Sequence, residues 1–153
     1  MSITFHRQLL RHDPASGIIG DCDRTAIACR LNMDPADVPH FMQGRAGPPG
    51  MRDANTWLAE RGYSLVRQRH PGGIEDLLGI MRRIACDNTG SYYLLTGRSA
   101  IGCNLVVICR NDKIVWDPSP DAVGIVGPAF GNPAVGFIVE FLGVRGGAVA
   151  RIS

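Results

Sequence analysis

Gly20-Asp21-Cys22-Asp23-Arg24-Thr25-Ala26-Ile27-Ala28 is the stretch that decides how this chain is read. It sets a cysteine directly after a Gly-Asp turn, where an apolar-periodic segment begins. Asp21 is the expected N-cap of a helix from about Cys22 to Leu31, with Ala26, Ile27 and Leu31 as the inward stripe. A thiol at that position meets the unpaired N–H groups and the positive dipole end of the helix, which favours thiolate over thiol. Cys22 is therefore the candidate nucleophile. Cys29 falls on the same helix face and reads as a small core residue.

Working outward, Asp34-Pro35 looks like a second, short helix start, capped by Asp34 and ending near Pro39-His40-Phe41. Gln43 to Gly50 reads as a loop, and a helix around Arg52 to Arg61 carries Trp57 and Leu58 inward. Tyr63 to Val66 is an expected strand, His70-Pro71-Gly72-Gly73 a turn, and Ile74 to Ile84 an amphipathic helix. The second half changes period. Tyr92 to Leu95, Leu105 to Cys109, Ile114 to Trp116 and Val135 to Leu142 are short β-branched and aromatic runs bounded by turn residues. Helices first and antiparallel strands afterwards predict an α+β fold, with residues 1–153 as one domain.

Composition excludes several classes. A net charge of +2 gives no nucleic-acid or membrane surface by itself. Lys113 is the only lysine, an arginine bias that GC-rich codon usage explains more simply than an anion site. No apolar window is long enough to span a bilayer, and Met1 to Arg7 lacks the features of a secretory signal, so cytoplasmic synthesis is expected. The five cysteines form no Cys-x-x-Cys pair, which points to neither a disulfide framework nor a zinc knuckle. Cys103 and Cys109 flank an apolar strand and read as packing residues. Asp21 and Asp23 are explained by helix capping and the helix dipole rather than by a metal. No phosphate loop or dinucleotide fingerprint occurs, so no cofactor is implied.

Arg110-Asn111-Asp112-Lys113 is a hairpin turn candidate. A turn centred on Asn111 would set residue 105 opposite residue 117, where a base and its orienting carboxylate could touch. Asp117 is present; residue 105 is leucine.

Several motifs, in order, resemble the papain-like cysteine peptidase superfamily, in particular short phage and bacterial proteins related to bacteriocin-processing peptidases. They are Gly20-Asp21-Cys22 through Ile27-Ala28, Asp37-Val38-Pro39-His40-Phe41, Trp57-Leu58-Ala59-Glu60-Arg61-Gly62, Tyr93-Leu94-Leu95-Thr96-Gly97 and Val115-Trp116-Asp117-Pro118-Ser119-Pro120. The resemblance spans about Phe5 to Phe141. It implies a papain-like fold in which a helical half, with cysteine at a helix N-terminus, packs on an antiparallel sheet. By position it gives Cys22 the nucleophile's place and Asp117 that of the orienting acid. The histidine would fall at Leu105, in Asn104-Leu105-Val106-Val107. The glutamine that donates to the oxyanion is missing from Asp13 to Ile19, with Gln8 a distant substitute.

Leucine cannot take the proton from a thiol or return it to a leaving group. Among the other histidines, His6, His40 and His70 read as surface or hydrogen-bonding residues. His12, in Arg11-His12-Asp13-Pro14, is the substitute base to check first. Trp57 and Trp116 read as core, although an exposed Trp116 beside Asp117 would suggest a ligand platform. The leading expectation is a catalytically degenerate peptidase-like protein of phage or prophage origin, acting as a binding or structural module on a protein or peptide partner, as a virion component or host-directed factor. The alternative is an active cysteine peptidase, amidase or acyltransferase with Cys22 and a relocated histidine.

Overall fold

The Gly-Asp turn does start a helix. In the computed structural model, which describes residues 3–44 and 48–144, α1 runs Cys22–Leu31 and closes on Asn32 in the left-handed region at φ 57°. Its buried side chains include Thr25, Ala26, Ile27 and Cys29. Asp34 caps a short 3-10 turn, Pro35–Asp37, by accepting from the Ala36 N–H at 2.9 Å. The expected loop from Gln43 is shorter than its composition suggests. Gln43 and Gly44 lie in a turn, residues 45–47 are outside the described residues, and α2 begins at Pro48 and runs Pro48–Glu60. Prolines suit a first helical turn, whose N–H groups have no intrahelical partner anyway. A 3-10 turn, Ile74–Asp76, leads into α3, Leu77–Asp87, which buries Leu77, Ile80, Met81 and Ile84.

These three helices accompany one antiparallel sheet of six strands, giving an α+β fold among the described residues. The strands are β1 Tyr63–His70, β2 Tyr92–Ser99, β3 Asn104–Arg110, β4 Lys113–Trp116, β5 Ile125–Gly127 and β6 Phe137–Val144. Their order is β1-β6-β2-β3-β4, with β5 pairing β2. β6 pairs β1 from Tyr63↔Val144 to His70↔Phe137, and β2 from Leu94↔Glu140 to Thr96↔Ile138. His70 thus ends a strand rather than sitting in the turn that follows. β5 is a strand the sequence reading missed, since three residues show no period. Gly136, at φ 68°, leads into β6 where a Cβ would overlap the His70 carbonyl, so a side chain there would push β6 from β1.

The hairpin forms as expected, but its register does not continue. Arg110 pairs Lys113 and Cys109 pairs Ile114, after which the ladder shifts to Ile108↔Trp116. The shift gives β4 one extra residue, Val115, against β3. In the shifted frame residue 107, not Leu105, is the counterpart of Asp117. The turn is centred between Asn111 and Asp112, which alone would set Val106 opposite Asp117, and the bulge moves the counterpart on to Val107, so Leu105 and Asp117 are not opposed.

Strand alternation sorts the sheet into two faces. Leu65, Arg67, Thr96, Val106, Ile138 and Glu140 share the face turned towards Ile27 of α1 and Ala54 of α2. Leu95, Val107, Val139 and Phe141 point the other way and are buried in the same core as Ile80 and Ile84 of α3.

Candidate functional site

On the α1–α2 side a cavity of about 260 Å³ lies between the two helices and the sheet. Its walls are mostly apolar, with Ile27, Met51, Leu65, Val106 and Ile138 among them. Three charged side chains enter it: Asp23 from the first turn of α1, Arg67 from β1 and Glu140 from β6. Arg67 and Glu140 are directly opposite each other in the ladder. Both Nε and Nη2 of Arg67 donate to the single oxygen Oε2 of Glu140, at 3.0 and 2.7 Å. Asp23 makes no hydrogen bond or ion pair among the described residues. Burial, then the neighbouring Glu140 charge, push its carboxyl up to about 7, with Arg67 pulling the other way.

Cys22 lies half-buried against the core and does not line this cavity. Its thiol is pushed up to about 12, first by burial and further by Asp23, Cys103 and Asp21, while the Val106 backbone opposes the shift. These influences work against the expected dipole-stabilised thiolate. A helix N-terminus offers about half a unit of positive charge, and two carboxylates flank the thiol in sequence. The favourable dipole is the smaller effect.

Asp21 occupies the N-cap position without capping through its side chain. Its fully buried carboxylate instead accepts from the Leu10 N–H at 2.8 Å, the Leu9 N–H at 3.3 Å and Arg24 Nε at 2.8 Å. This clamps the N-terminal segment across the start of α1. The same segment covers Trp116, which stacks on Phe5 at 5.3 Å and donates from Nε1 to the His6 carbonyl at 2.8 Å. Trp116 is therefore no open platform. Trp57 packs edge-on to Phe41 at 5.9 Å.

His12 does fold over the first turn of α1 and lines the cavity. It is held by its Nδ1, which accepts from the Gly20 N–H at 3.0 Å. With Nδ1 accepting, the proton of the neutral ring sits on Nε2, so His12 meets the cavity as a donor. Gln8 also comes close, so that a Cβ on Gly20 would meet His12 Cβ at 2.9 Å and Gln8 Nε2 at 3.1 Å. The Gln8 amide donates to the Leu10 carbonyl at 2.6 Å. His40 Nε2 lies 2.7 Å from the Ile19 carbonyl, and His70 Nε2 lies 3.2 Å from Gln68 Oε1. None of these rings is hydrogen-bonded to Cys22 among the described residues.

Leu105 pairs with Gly97 and points to the sheet face opposite Val106. It lines a separate cavity of about 50 Å³ with Gln8, Cys103, Ser119 and Val123. Asp117 closes the turn that follows β4: Oδ1 accepts from the Ser119 N–H and Oγ at 2.9 and 2.6 Å, and Oδ2 from the Gly124 N–H at 2.8 Å. Asp117 is thus taken up by its own turn, while Leu105 adjoins Val106, whose backbone hydrogen-bonds the Cys22 thiol. Cys29 and Cys109 are buried, as their packing role requires, and Cys103 is half-buried between the two cavities.

The sequence reading missed Arg67 and Glu140. The signal was there, since Glu140 interrupts the apolar run Val135 to Leu142 and a lone charge in a buried strand demands a partner. No protein-family model matches the chain, no curated protein matches its sequence, and no solved structure matches its fold. Among the described residues no helix is long and apolar enough to cross a membrane.

Proposed function

We propose that this protein is a binding module on an α+β scaffold of papain-like descent, whose thiol has no catalytic part. The observation that carries the reading is the separation of the thiol from the cavity. The cavity is built from Asp23, Arg67, Glu140 and apolar side chains, while Cys22 is a protonated thiol outside its walls. Pockets that combine apolar walls with a few fixed polar groups are the usual form of small-ligand sites. Papain-like descent is supported by the order of the sequence motifs and by the cysteine at the start of α1. The same resemblance supports a phage or prophage origin and a protein or peptide partner.

One observation favours the alternative of a working hydrolase: Gln8 and His12 both pack against Gly20, two residues before Cys22. Against it, the nitrogen of His12 that would take a proton is already the acceptor for the Gly20 N–H. Cys22→Ser separates the readings. A thermal-shift screen of small organic compounds and short peptides against wild type and Cys22→Ser should give the same hits with shifts of the same size. Turnover of an amide or thioester by wild type and its loss in Cys22→Ser would overturn the proposal.

A further inference from the structure

We infer that the cavity between α1, α2 and the sheet is a site for a small organic monocation, an ammonium group on an apolar body, with Asp23 as its counter-ion. The inference rests on the binding-module reading and names the ligand class for the same cavity. Charge is the first argument. Asp23, Glu140 and Arg67 together leave one uncompensated negative charge when both carboxylates are ionised. Arg67 does not spread its donors over the two acids. Nε and Nη2 both go to Oε2 of Glu140, so Oε1 has no hydrogen-bond donor among the described residues, and neither does Asp23. Two acceptor edges therefore face a cavity whose one permanent cation, Arg67, is already engaged. An ammonium group supplies three donors and one positive charge.

Shape and rim agree with that assignment. At about 260 Å³ the space exceeds the roughly 150 Å³ that accommodates benzene in an apolar protein cavity. At the rim, Phe130 is 70% exposed, an unusual state for a phenylalanine. Its backbone sits at φ 55°, a region that bulky residues rarely enter, and its N–H is held by Asn104 Oδ1 at 2.8 Å. A costly backbone that keeps an aromatic ring at the mouth of a cavity with acidic groups suits an entering cation, which an aromatic face attracts.

The ionisable groups on the walls around Asp23 are Glu140, Arg67, His12 and Cys103. An ammonium ion must find Asp23 ionised, so binding displaces the Asp23 proton. Below about 7 the apparent affinity should fall on the order of tenfold per pH unit.

The ligand chemistry has two sources, a free amine or the lysine side chain of a peptide. Calorimetry with n-hexylammonium, 1-hexanol, hexanoate and Nα-acetyl-lysine N-methylamide separates them. Hexylammonium should bind at least about tenfold tighter than hexanol, and hexanoate weakest of all, because a charge-assisted contact is worth that much. A lysine derivative that binds tighter than hexylammonium identifies a peptide source, and the reverse order identifies a free amine. Asp23→Asn should lose about tenfold for hexylammonium and nothing for hexanol. Should that variant misfold, the wild-type pH profile and proton release measured in buffers of different ionisation enthalpy carry the test. Equal binding of hexanol and hexylammonium overturns the cation assignment and leaves a neutral-ligand module standing. Absence of binding by all four overturns the assignment too, while the module reading is judged by the Cys22→Ser screen.

Discussion

If burial and its acidic neighbours outweigh the helix dipole, Cys22 should be slower to alkylate than an ordinary thiol. An unperturbed cysteine of pKa about 8.5 is roughly 3% ionised at pH 7. With its thiol at about 12, Cys22 has about 0.001% in the thiolate form at that pH, roughly 3,000-fold less. Part of this is returned, because a more basic thiolate is a better nucleophile. With a Brønsted slope of about 0.45, the gap of about 3.5 in pKa restores roughly 40-fold. A deficit on the order of 100-fold remains, before any loss from limited access. Cys86, which is exposed, supplies an internal comparison on the same chain. The assay is a time course with iodoacetamide at pH 7, quenched and read by mass spectrometry of the two cysteine peptides. Cys86 should be fully modified while Cys22 stays almost untouched, and the gap should close when the protein is unfolded in urea. Labelling of Cys22 at or above the rate of Cys86 in the folded protein would refute the reasoning and restore an activated nucleophile.

Three further outcomes follow from the same geometry. Asp23 holds its proton to about 7 when folded but only to about 3.9 when unfolded, so ionisation favours the unfolded chain and stability is lost as pH rises through that window. The ceiling is about 4 kcal/mol and water reaching a half-buried group roughly halves it, so Asp23→Asn should be about 2 kcal/mol more stable than wild type at pH 8 and nearly equal at pH 4, in urea titrations. Glu140→Gln strips Arg67 of its charged partner and should cost about 2 kcal/mol, moderated because the Arg67 side chain is 27% exposed and can turn to water. Leu105→His places an imidazole two residues out of register with Asp117, whose two oxygens already serve Ser119 and Gly124, so it should lower Tm without conferring hydrolysis; a gain of amide hydrolysis would show that the three positions do converge.

Much of the scaffold was legible because its signals are local. The Cys22–Leu31 helix, the Asp34 cap, the Asn111 turn and the principal strands each rest on a few adjacent residues. What could not be read depends on partners far away in the chain. Asp117 misses Leu105 because the turn is centred between Asn111 and Asp112 and because β4 bulges at Val115, and nothing in Ile114-Val115-Trp116 announces that extra residue. Asp21 looked like a helix cap because its sequence neighbours suit one, yet its carboxylate serves the N–H groups of Leu9 and Leu10. The burial of Cys22 was out of reach for a related reason. A dipole argument needs only the helix, whereas burial depends on everything packed over it. Asp23 was weighed as a dipole partner, and its true neighbours, Arg67 and Glu140, lie on strands well downstream.

The placement of β6 has a consequence for biosynthesis. The segment that joins β1 to β2 in the sheet is the last of the six strands to be made. Until Phe137–Val144 leaves the ribosome, β1 and β2 each expose a row of unpaired backbone groups beside apolar side chains. The nascent chain thus carries an open seam from the time β2 is made until β6 follows, and chaperone demand should peak just before that seam is zipped shut.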